Sequence, residues 1–332
     1  MLLPDAAQNG WLNGWIVEEG IGEHRAVLMQ HGEAVAALID WPGRLAAGLI
    51  SDAILVSRTA GSGSGTAQFP GGELALVSGL PRSASEGSTL RLEVTRAALS
   101  ERGRGKLARA RPSEKDVQSA PTLRQQLGMI SSGLVAVPDN VWEDIFTEAW
   151  LGEVAFSGGS LVVCPTPAMT LIDVDGTLPA AQLAKAAAKA ATATIRLLGL
   201  NGNLAIDFPT LADKADRQAV DRALADGLAG WPHERTAMNG FGLVQLVSRQ
   251  HGPSLVARLH FDRAGAAARL LLRRAERVRD PGVLLLTLHP AVRAVIEPAW
   301  EAELARRTGR VLRWQIDAAL ALDGAFAQAV SA

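Results

Sequence analysis

Two apolar segments, each ending in the dipeptide Ile-Asp, constrain the fold more than any other feature of the chain. They read MTLIDV at 169–174 and NLAIDF at 203–208, and the Ala-rich stretch between them, about 179–198, is predicted as a helix. A strand, a helix and a second strand at this spacing are typical of a β–α–β unit, whose two strands can pair as parallel neighbours. We therefore expect Asp173 and Asp207 to lie side by side at the ends of two adjacent strands.

Adjacent carboxylates in apolar surroundings are costly, because each loses water and each repels the other. A divalent cation relieves both costs, and carboxylate oxygens are preferred ligands of Mg²⁺ and Mn²⁺. Asp175 lies two residues beyond Asp173 on the same strand face and is a candidate third ligand. A metal ion held there would favour phosphodiester hydrolysis. The alternative is structural, with these aspartates capping turns or pairing with a buried arginine.

The distribution of strands, helices and chain breakers divides the sequence into four regions. Residues 1–110 contain short apolar runs separated by Gly, Ser and Pro, which predict a small β-barrel or sandwich. Residues 111–157 predict a helical connector, and residues 158–260 predict an α/β core that contains both Ile-Asp strands. Residues 261–332 alternate between helix and strand and predict a small α/β domain. The predicted fold class is therefore mixed α/β.

Three local expectations follow within these regions. We expect the arginines of a helix over 262–279 to lie on a solvated face or to contact RNA or a partner subunit. A helix is predicted over 291–307, and residues 317–331 are expected to be amphipathic or frayed. Cys164 lies in an apolar strand and is expected to be a small core residue.

Acidic and basic residues are nearly balanced, with 33 Lys and Arg against 34 Asp and Glu. This excludes a general attraction of the whole surface to nucleic acid or anionic lipid, so any basic surface must be local. The most concentrated positive charge is at 101–111, which is either a solvated connector or an RNA contact. The single cysteine excludes an internal disulfide and a Cys-cluster zinc site. With no export signal and no long apolar run, we expect a cytoplasmic protein without membrane contact.

Four segments, in order, resemble the signature of the bacterial ribonuclease E/G family. They are GGSLVVCPTPAMTLIDVDG (158–176), IRLLGLNGNLAIDF (195–208), DRQAVDRAL (216–224) and MNGFGLVQLVSRQHGPSL (238–255). Weaker similarity relates EVTRAALSERGRGKLARAR (93–111) to the end of the family's OB-type RNA-binding barrel. The segment LLLTLHPAVRAVI, near 284–296, is similar to the family's small C-terminal domain.

The resemblance implies a catalytic core of RNase H-like and DNase I-like character beside an N-terminal OB-type barrel. It implies a Mg²⁺-dependent endoribonuclease that cleaves single-stranded RNA, with Asp173 and Asp207 as catalytic metal ligands and Mn²⁺ as a substitute ion. Asp175 occupies the position of a metal-binding Asn in the family. The basic candidates for RNA contact are Arg104, Lys106, Arg109, Arg217 and Arg249. For Arg217 and Arg249, ion pairing on a helix surface is the alternative.

Several departures from the family pattern leave a second hypothesis open. Asp175 adds a charge and cannot donate the hydrogen bond that an Asn donates, and the segment after it is shorter than in the family. The family's CPxCxG zinc link is absent, so we expect no zinc and any homodimer must form through protein surfaces alone. Phe69 is the only phenylalanine of the barrel region, although base stacking normally uses exposed aromatic side chains. The alternative function is a catalytically weak or inactive relative that binds RNA.

Overall fold

The structure, a computed structural model, describes residues 14–101, 104–128, 136–250 and 252–331, without the side chains of residues 100, 101 and 104. Within these ranges the chain forms a closed five-stranded β-barrel, a six-stranded sheet and two three-stranded sheets, together with α-helices. The predicted mixed α/β class is confirmed at this level.

A three-stranded antiparallel sheet precedes the barrel and is separate from it. Its strands are β1 (Gly14–Glu19), β2 (His24–Gln30) and β3 (Glu33–Asp40). Val27, Met29 and Ala37 are buried in the largest hydrophobic core of the molecule, whereas the barrel has a core of its own. The described part of the β-rich region 1–110 therefore contains two β-structures with different packing partners.

The barrel is formed by β4 (Ile50–Arg58), β5 (Ser64–Gln68), β6 (Leu74–Ser78), β7 (Thr89–Arg96) and β10 (Ala108–Pro112). Its strand order is β10-β6-β5-β4-β7, and β10 closes it by pairing parallel to β6 and antiparallel to β7. Leu55, Phe69 and Leu92 fill its interior. Between β7 and β10 the chain forms a hairpin of β8 (Leu99–Glu101) and β9 (Arg104–Lys106).

The six-stranded sheet is the centre of the molecule. It contains β11 (Glu153–Phe156), β12 (Gly159–Pro165), β13 (Thr170–Gly176), β14 (Asn203–Asp207), β15 (Glu234–Arg235) and β16 (Leu243–Val247). The spatial order is β11-β12-β13-β14-β16-β15. Only the pair β13–β14 is parallel, and the other neighbours in this sheet are antiparallel. The predicted β–α–β unit is thus present as the one parallel element of the sheet.

Helices cover one side of this sheet. The described helices are α1 (Leu123–Gln126), α2 (Asp139–Leu151), α3 (Ala180–Leu197), α4 (Lys214–Gly227), α5 (Leu255–Phe261), α6 (Arg263–Glu276), α7 (Pro290–Ala294) and α8 (Pro298–Thr308). The crossover helix α3 buries a stripe that includes Leu183, Ala187, Ala191 and Ile195. Its many alanines favour the helix and allow it to lie close to the sheet. Gly199 follows its end with φ of 61°, a conformation that suits glycine after a helix.

The C-terminal sheet differs from the sequence expectation at two places. Its order is β18 (Leu312–Ile316), β17 (Val283–Leu288) and β19 (Phe326–Val330), with β17 parallel to β18 and antiparallel to β19. The interpretation of 317–331 as amphipathic or frayed is wrong, because β19 pairs along five residues with β17. The single helix predicted over 291–307 is two helices, since Pro298 begins a new one.

The expectation that the arginines of helix 262–279 lie on a solvated face or contact RNA is wrong for α6. Arg273 is 1% exposed, and it donates to Glu18 at 3.0 Å, to Asp139 at 3.2 Å and to the carbonyl of Val137 at 2.8 Å. Other arginines of this helix and its end are also engaged inside the molecule: Arg269 stacks on Trp41 and Trp300, Arg274 pairs with Glu143, and Arg277 pairs with Glu18 and Asp139. Their charge therefore joins β1, the start of α2 and α6.

Glu18 is the acidic centre of this network. Burial by itself would raise the pKa of Glu18, but the guanidinium groups of Arg25, Arg273 and Arg277 outweigh it and lower the pKa below its ordinary value of 4.5. Arg25 is fully buried and bonds Glu18 at 2.6 Å. The charged form of Glu18 is therefore the form that the fold requires.

In the described part of the chain, none of the helices combines the length and the apolar character that crossing a bilayer requires.

Replacing buried Arg273 with Met should lower the free energy of unfolding by about 3–5 kcal/mol, because it leaves the partly buried Glu18 without one of its cations. Urea denaturation followed by circular dichroism measures this difference. The matched control is Arg306→Ala, which breaks an exposed pair with Glu303 and should cost less than about 1 kcal/mol. Equal losses for the two variants would contradict the structural role of the network.

Glu18→Gln should remove part of the acid sensitivity of the fold. A carboxyl group whose pKa is lowered by folding stabilises the protein fully above pH 4.5 and loses that contribution as the pH falls further. The variant should therefore be less stable than the wild type at pH 7, and its stability should decrease less steeply below pH 4.5. Glu33→Gln, at the exposed turn between β2 and β3, should leave the pH profile unchanged.

Candidate active site

One face of the central sheet is packed on helices and the other is open. Along β13, Ile172 and Val174 are buried, whereas Asp173 and Asp175 are exposed. The same alternation in β12 buries Val163 and exposes Cys164. The expectation that Cys164 is a core residue is therefore wrong, because its strand position points to the open face. On this open face, side chains of the four adjacent strands β12, β13, β14 and β16 are accessible.

Asp173 and Asp207 are register partners in the parallel pair β13–β14. Because neighbouring strands lie about 4.8 Å apart and partners point to the same face, the two carboxylates are direct neighbours on the open face. Both residues are exposed. Asp173 accepts a hydrogen bond from the backbone N–H of Val174 at 3.1 Å, and neither carboxylate forms an ion pair with a basic residue that the structure describes. The alternative in which a buried arginine neutralises them is thus not observed within the described residues.

Asp173 and Asp207 could bind Mg²⁺ as a pair of carboxylates, with water as the other ligands. Among the described residues, no group of three or more His, Cys, Asp or Glu side chains is arranged to hold a metal ion. Asp175 lies beside the pair on the same face of β13, and its role as a third ligand stays a prediction. Mg²⁺ in proteins keeps several waters and is often bound by one or two carboxylates together with substrate phosphates. The Asp173–Asp207 pair is compatible with that mode and with Mn²⁺.

Arg217 braces the chain that follows Asp207. Its guanidinium donates to the carbonyls of Leu211 and Ala212, in the segment that connects β14 to α4. Asp213 is the N-cap of this helix, and its carboxylate accepts a hydrogen bond from the N–H of Ala215 at 2.7 Å. The carbonyls are neutral, so these two contacts do not pair the guanidinium with an acidic group. The predicted ion pairing of Arg217 is not observed with any residue that the structure describes, and its predicted contact with RNA stays a prediction.

Lys106 and Arg249 lie at the other end of the central strands, away from the aspartates. Lys106 donates to the carbonyl of Pro167 at 3.3 Å, in the turn between β12 and β13, and Arg249 follows the end of β16 and is exposed. Within β13, Thr170 at this end of the strand lies three residues, or about 10 Å, from Asp173. A cavity of about 260 Å³ lies there, with polar lining from Lys106, Thr166, Asn201, Asn203, Ser248 and Gln250.

The two remaining basic candidates belong to the barrel side. Arg109 is exposed on β10, and Arg96 of β7 is its register partner in the barrel. Arg104 is the first residue of β9, and its side chain lies outside the described part of the structure. The structure thus brings Asp173 and Asp207 together, with Asp175 two residues further along the same face of β13, and leaves the basic candidates distributed over three separate places.

No protein-family model matches the chain, and no curated protein sequence matches it either. The resemblance to ribonuclease E/G therefore depends on the motifs themselves and on the positions that their aspartates occupy.

Saturating Mg²⁺ should raise the melting temperature of the wild type and should leave that of the Asp173→Asn, Asp207→Asn double variant unchanged. A ligand that binds only the folded state stabilises it, by about 2.7 kcal/mol at one hundred times its Kd. Without metal, the double variant should be at least as stable as the wild type, because it lacks the repulsion between two adjacent carboxylates. Differential scanning calorimetry with and without MgCl₂ measures both effects.

Asp226→Asn is the matched control for this experiment. Asp226 is an exposed aspartate on α4, and its loss removes one negative charge away from the open face. This variant should respond to Mg²⁺ as the wild type does. An equal response of the double variant would show that the ion binds elsewhere.

Proposed function

We propose that this protein is a Mg²⁺-dependent endoribonuclease that cleaves single-stranded RNA, a shortened relative of the ribonuclease E/G family. The observation that carries the proposal is the pair Asp173 and Asp207, which are register partners on the open face of the one parallel strand pair in the sheet. The motifs that resemble the family signature contain these two residues. An extended substrate can reach an open sheet face without a change in the fold.

Asp173 and Asp207 are the residues that would hold the ion, with Asp175 beside them. The chemistry that Mg²⁺ supplies when bound is a lowered pKa of water and stabilisation of the charge that develops on the phosphate. The carboxylates themselves impose an order of binding. Three exposed acidic side chains on one face repel an RNA phosphate until a cation neutralises them. RNA binding at the cleavage site should therefore depend on the cation, even before any bond is cleaved.

Four features support the proposal that RNA is the substrate. The barrel order, with β10 parallel to β6 and antiparallel to β7, is compatible with an OB-type barrel, a fold that commonly binds oligonucleotides. The proposal assigns Lys106 and Arg249 to phosphates of the RNA on the side of the turn between β12 and β13. Arg217 supplies positive charge on the side of Asp207. Arg104 and Arg109 would contact RNA that continues along the barrel.

The second candidate function is RNA binding without cleavage. The observation that favours it is Asp175, which stands where the family has an Asn and adds a third negative charge to the face that a phosphate must approach. A third carboxylate attracts the metal ion but repels the phosphate and cannot donate a hydrogen bond to it. The two functions differ in one property, which is whether RNA is cut when Mg²⁺ is present.

A single-stranded RNA with a fluorophore at its 5′ end should be cut by the wild type in Mg²⁺ or Mn²⁺ and not in EDTA. Asp173→Asn and Asp207→Asn should each lower the rate by roughly a hundredfold or more, since even groups that only orient a metal ligand typically contribute 10- to 100-fold. Product lengths on a denaturing gel measure the cleavage. Internal cuts identify an endonuclease.

Asp226→Asn again provides the control, and its rate should equal that of the wild type. Equal degradation by the wild type and the Asp173→Asn, Asp207→Asn double variant would reveal a contaminating nuclease and overturn the proposal. Tight RNA binding by a wild type that does not cleave would favour the second candidate. A wild type that neither binds nor cleaves RNA at low salt would overturn both.

A further inference from the structure

Phe241 is the most exposed of the large hydrophobic side chains in the described chain, with 83% of its surface accessible. It lies in the turn between β15 and β16, two residues before Leu243, which begins the pairing of β16 with β14. A phenylalanine left in water is costly, because its ring carries a large apolar surface. Such a residue needs either a flexible chain or a ligand to explain it.

The turn that carries Phe241 is held by specific hydrogen bonds. The side-chain oxygen of Asn239 accepts from the N–H of Phe241 at 2.9 Å and from the N–H of Leu243 at 3.0 Å. The hydroxyl of Thr210 donates to the carbonyl of Phe241 at 3.4 Å. Gly242 has φ of 95°, and a Cβ at this position would collide with the carbonyl of Phe208. The backbone therefore fixes Phe241 in its exposed position.

The same turn is attached to the carboxylate pair. Leu243 is the register partner of Asp207, and the N–H of Phe208 donates to the carbonyl of Gly242 at 3.2 Å. From the spacing between strands and the rise per residue, the backbone of Phe241 lies roughly 8 Å from that of Asp207. An exposed aromatic ring thus stands beside the candidate site of bond cleavage.

We propose that Phe241 is a stacking platform for the RNA base next to the cleaved phosphodiester. This inference rests on the proposed function. Single-stranded RNA is commonly held by bases that stack on aromatic side chains, and every base has a face that can stack. The barrel does not offer its phenylalanine for this purpose, because Phe69 is 3% exposed in the barrel core. Phe241 supplies, beside the aspartates, the aromatic surface that the barrel lacks.

The surroundings of Phe241 favour a nucleic acid base over an apolar protein partner. Its neighbours in the turn, Asn239 and Gly240, are exposed, and so is Thr210. A protein interface has a continuous hydrophobic core, whereas here one ring stands among polar groups and near carboxylates. A base is flat, has a polar edge and is attached to a phosphate, so it matches a single ring with polar surroundings. Phe241 is therefore a positioning residue, which holds the strand while the aspartates act.

The test combines a protein variant with a modified RNA. Phe241→Ala removes the ring, Phe241→Leu keeps apolar volume without it, and Phe241→Trp keeps a ring. In Mg²⁺, Phe241→Ala and Phe241→Leu should raise KM for single-stranded RNA by about tenfold or more, the effect of losing one base–aromatic stack, with a smaller change in kcat. Phe241→Trp should restore the wild-type KM. An unchanged melting temperature shows that the exposed position does not determine folding.

An RNA with one abasic nucleotide next to the mapped cut identifies the contact itself. The abasic site should raise KM for the wild type by the same factor as Phe241→Ala does with intact RNA. With Phe241→Ala, the abasic site should have no further effect, because the two groups contact each other. An abasic nucleotide placed several positions away should affect both proteins equally. Independent, additive effects at the cut would overturn the platform.

The outcomes separate this inference from the proposed function. Cleavage that depends on Asp173 and Asp207 but is unchanged in Phe241→Ala would overturn the platform and leave the nuclease intact. Binding that is weakened by Phe241→Ala, in a protein that never cleaves, would support the platform and overturn the nuclease. A change in oligomeric state for Phe241→Ala, with RNA binding unchanged, would assign the ring to a protein interface and overturn the platform.

Discussion

The parallel pairing of β13 with β14 is the constraint on which the candidate site depends. Parallel strands cannot be joined by a tight turn, so the chain must cross over, and α3 makes that crossing along the buried face of the sheet. With α3 on one face, the aspartates of both strands are left on the other. A register shift of one residue would bury one carboxylate against α3, where its charge would have no compensation. Burial of Ile172 and Ile206 therefore fixes the register that makes Asp173 and Asp207 neighbours.

A second constraint is the ion-pair network that connects β1 with α2 and α6. Glu18 of β1 and Asp139 of α2 are the carboxylates, and Arg273 and Arg277 from the region of α6 are the cations. Asp139 is exposed, but Arg273 is buried and Glu18 is partly buried, and a buried ion pair contributes modestly when it is complete and costs much when one partner is lost. Such a network selects which segments pack against each other, and its net contribution to the free energy of unfolding is smaller than the cost of breaking it. It holds β1 and α6 against the helices that support the sheet, away from the open face.

Local signals in the sequence predict the elements, and non-local partners decide what their side chains do. The strand, helix and strand that contain Asp173 and Asp207 follow from periodicity and from the Ala-rich stretch between them. The burial of Arg273 could not be predicted, because its partners lie more than one hundred residues away and no spacing within α6 refers to them. Cys164 was assigned to the wrong face because the outward residues of β12 are apolar as well, which conceals the alternation. The exposure of Phe241 could not be predicted from its residue type, because it depends on the turn that Asn239 and Gly242 hold.

Many arginines of this nearly neutral chain are paired inside the molecule, so the surface carries less positive charge than the composition suggests. Basic residues of α6 are engaged with Glu18, Asp139, Glu143 and tryptophan rings, so they do not add to a surface potential for nucleic acid. The open face carries acidic groups, and the basic candidates lie at its edges or on the barrel. A polyanion that binds there gains little from the electrostatic attraction that normally dominates RNA affinity. On this face the binding free energy would therefore come from the proposed cation at Asp173 and Asp207 and the proposed stack on Phe241, whereas the phosphate contacts proposed for the basic residues lie at its ends and on the barrel.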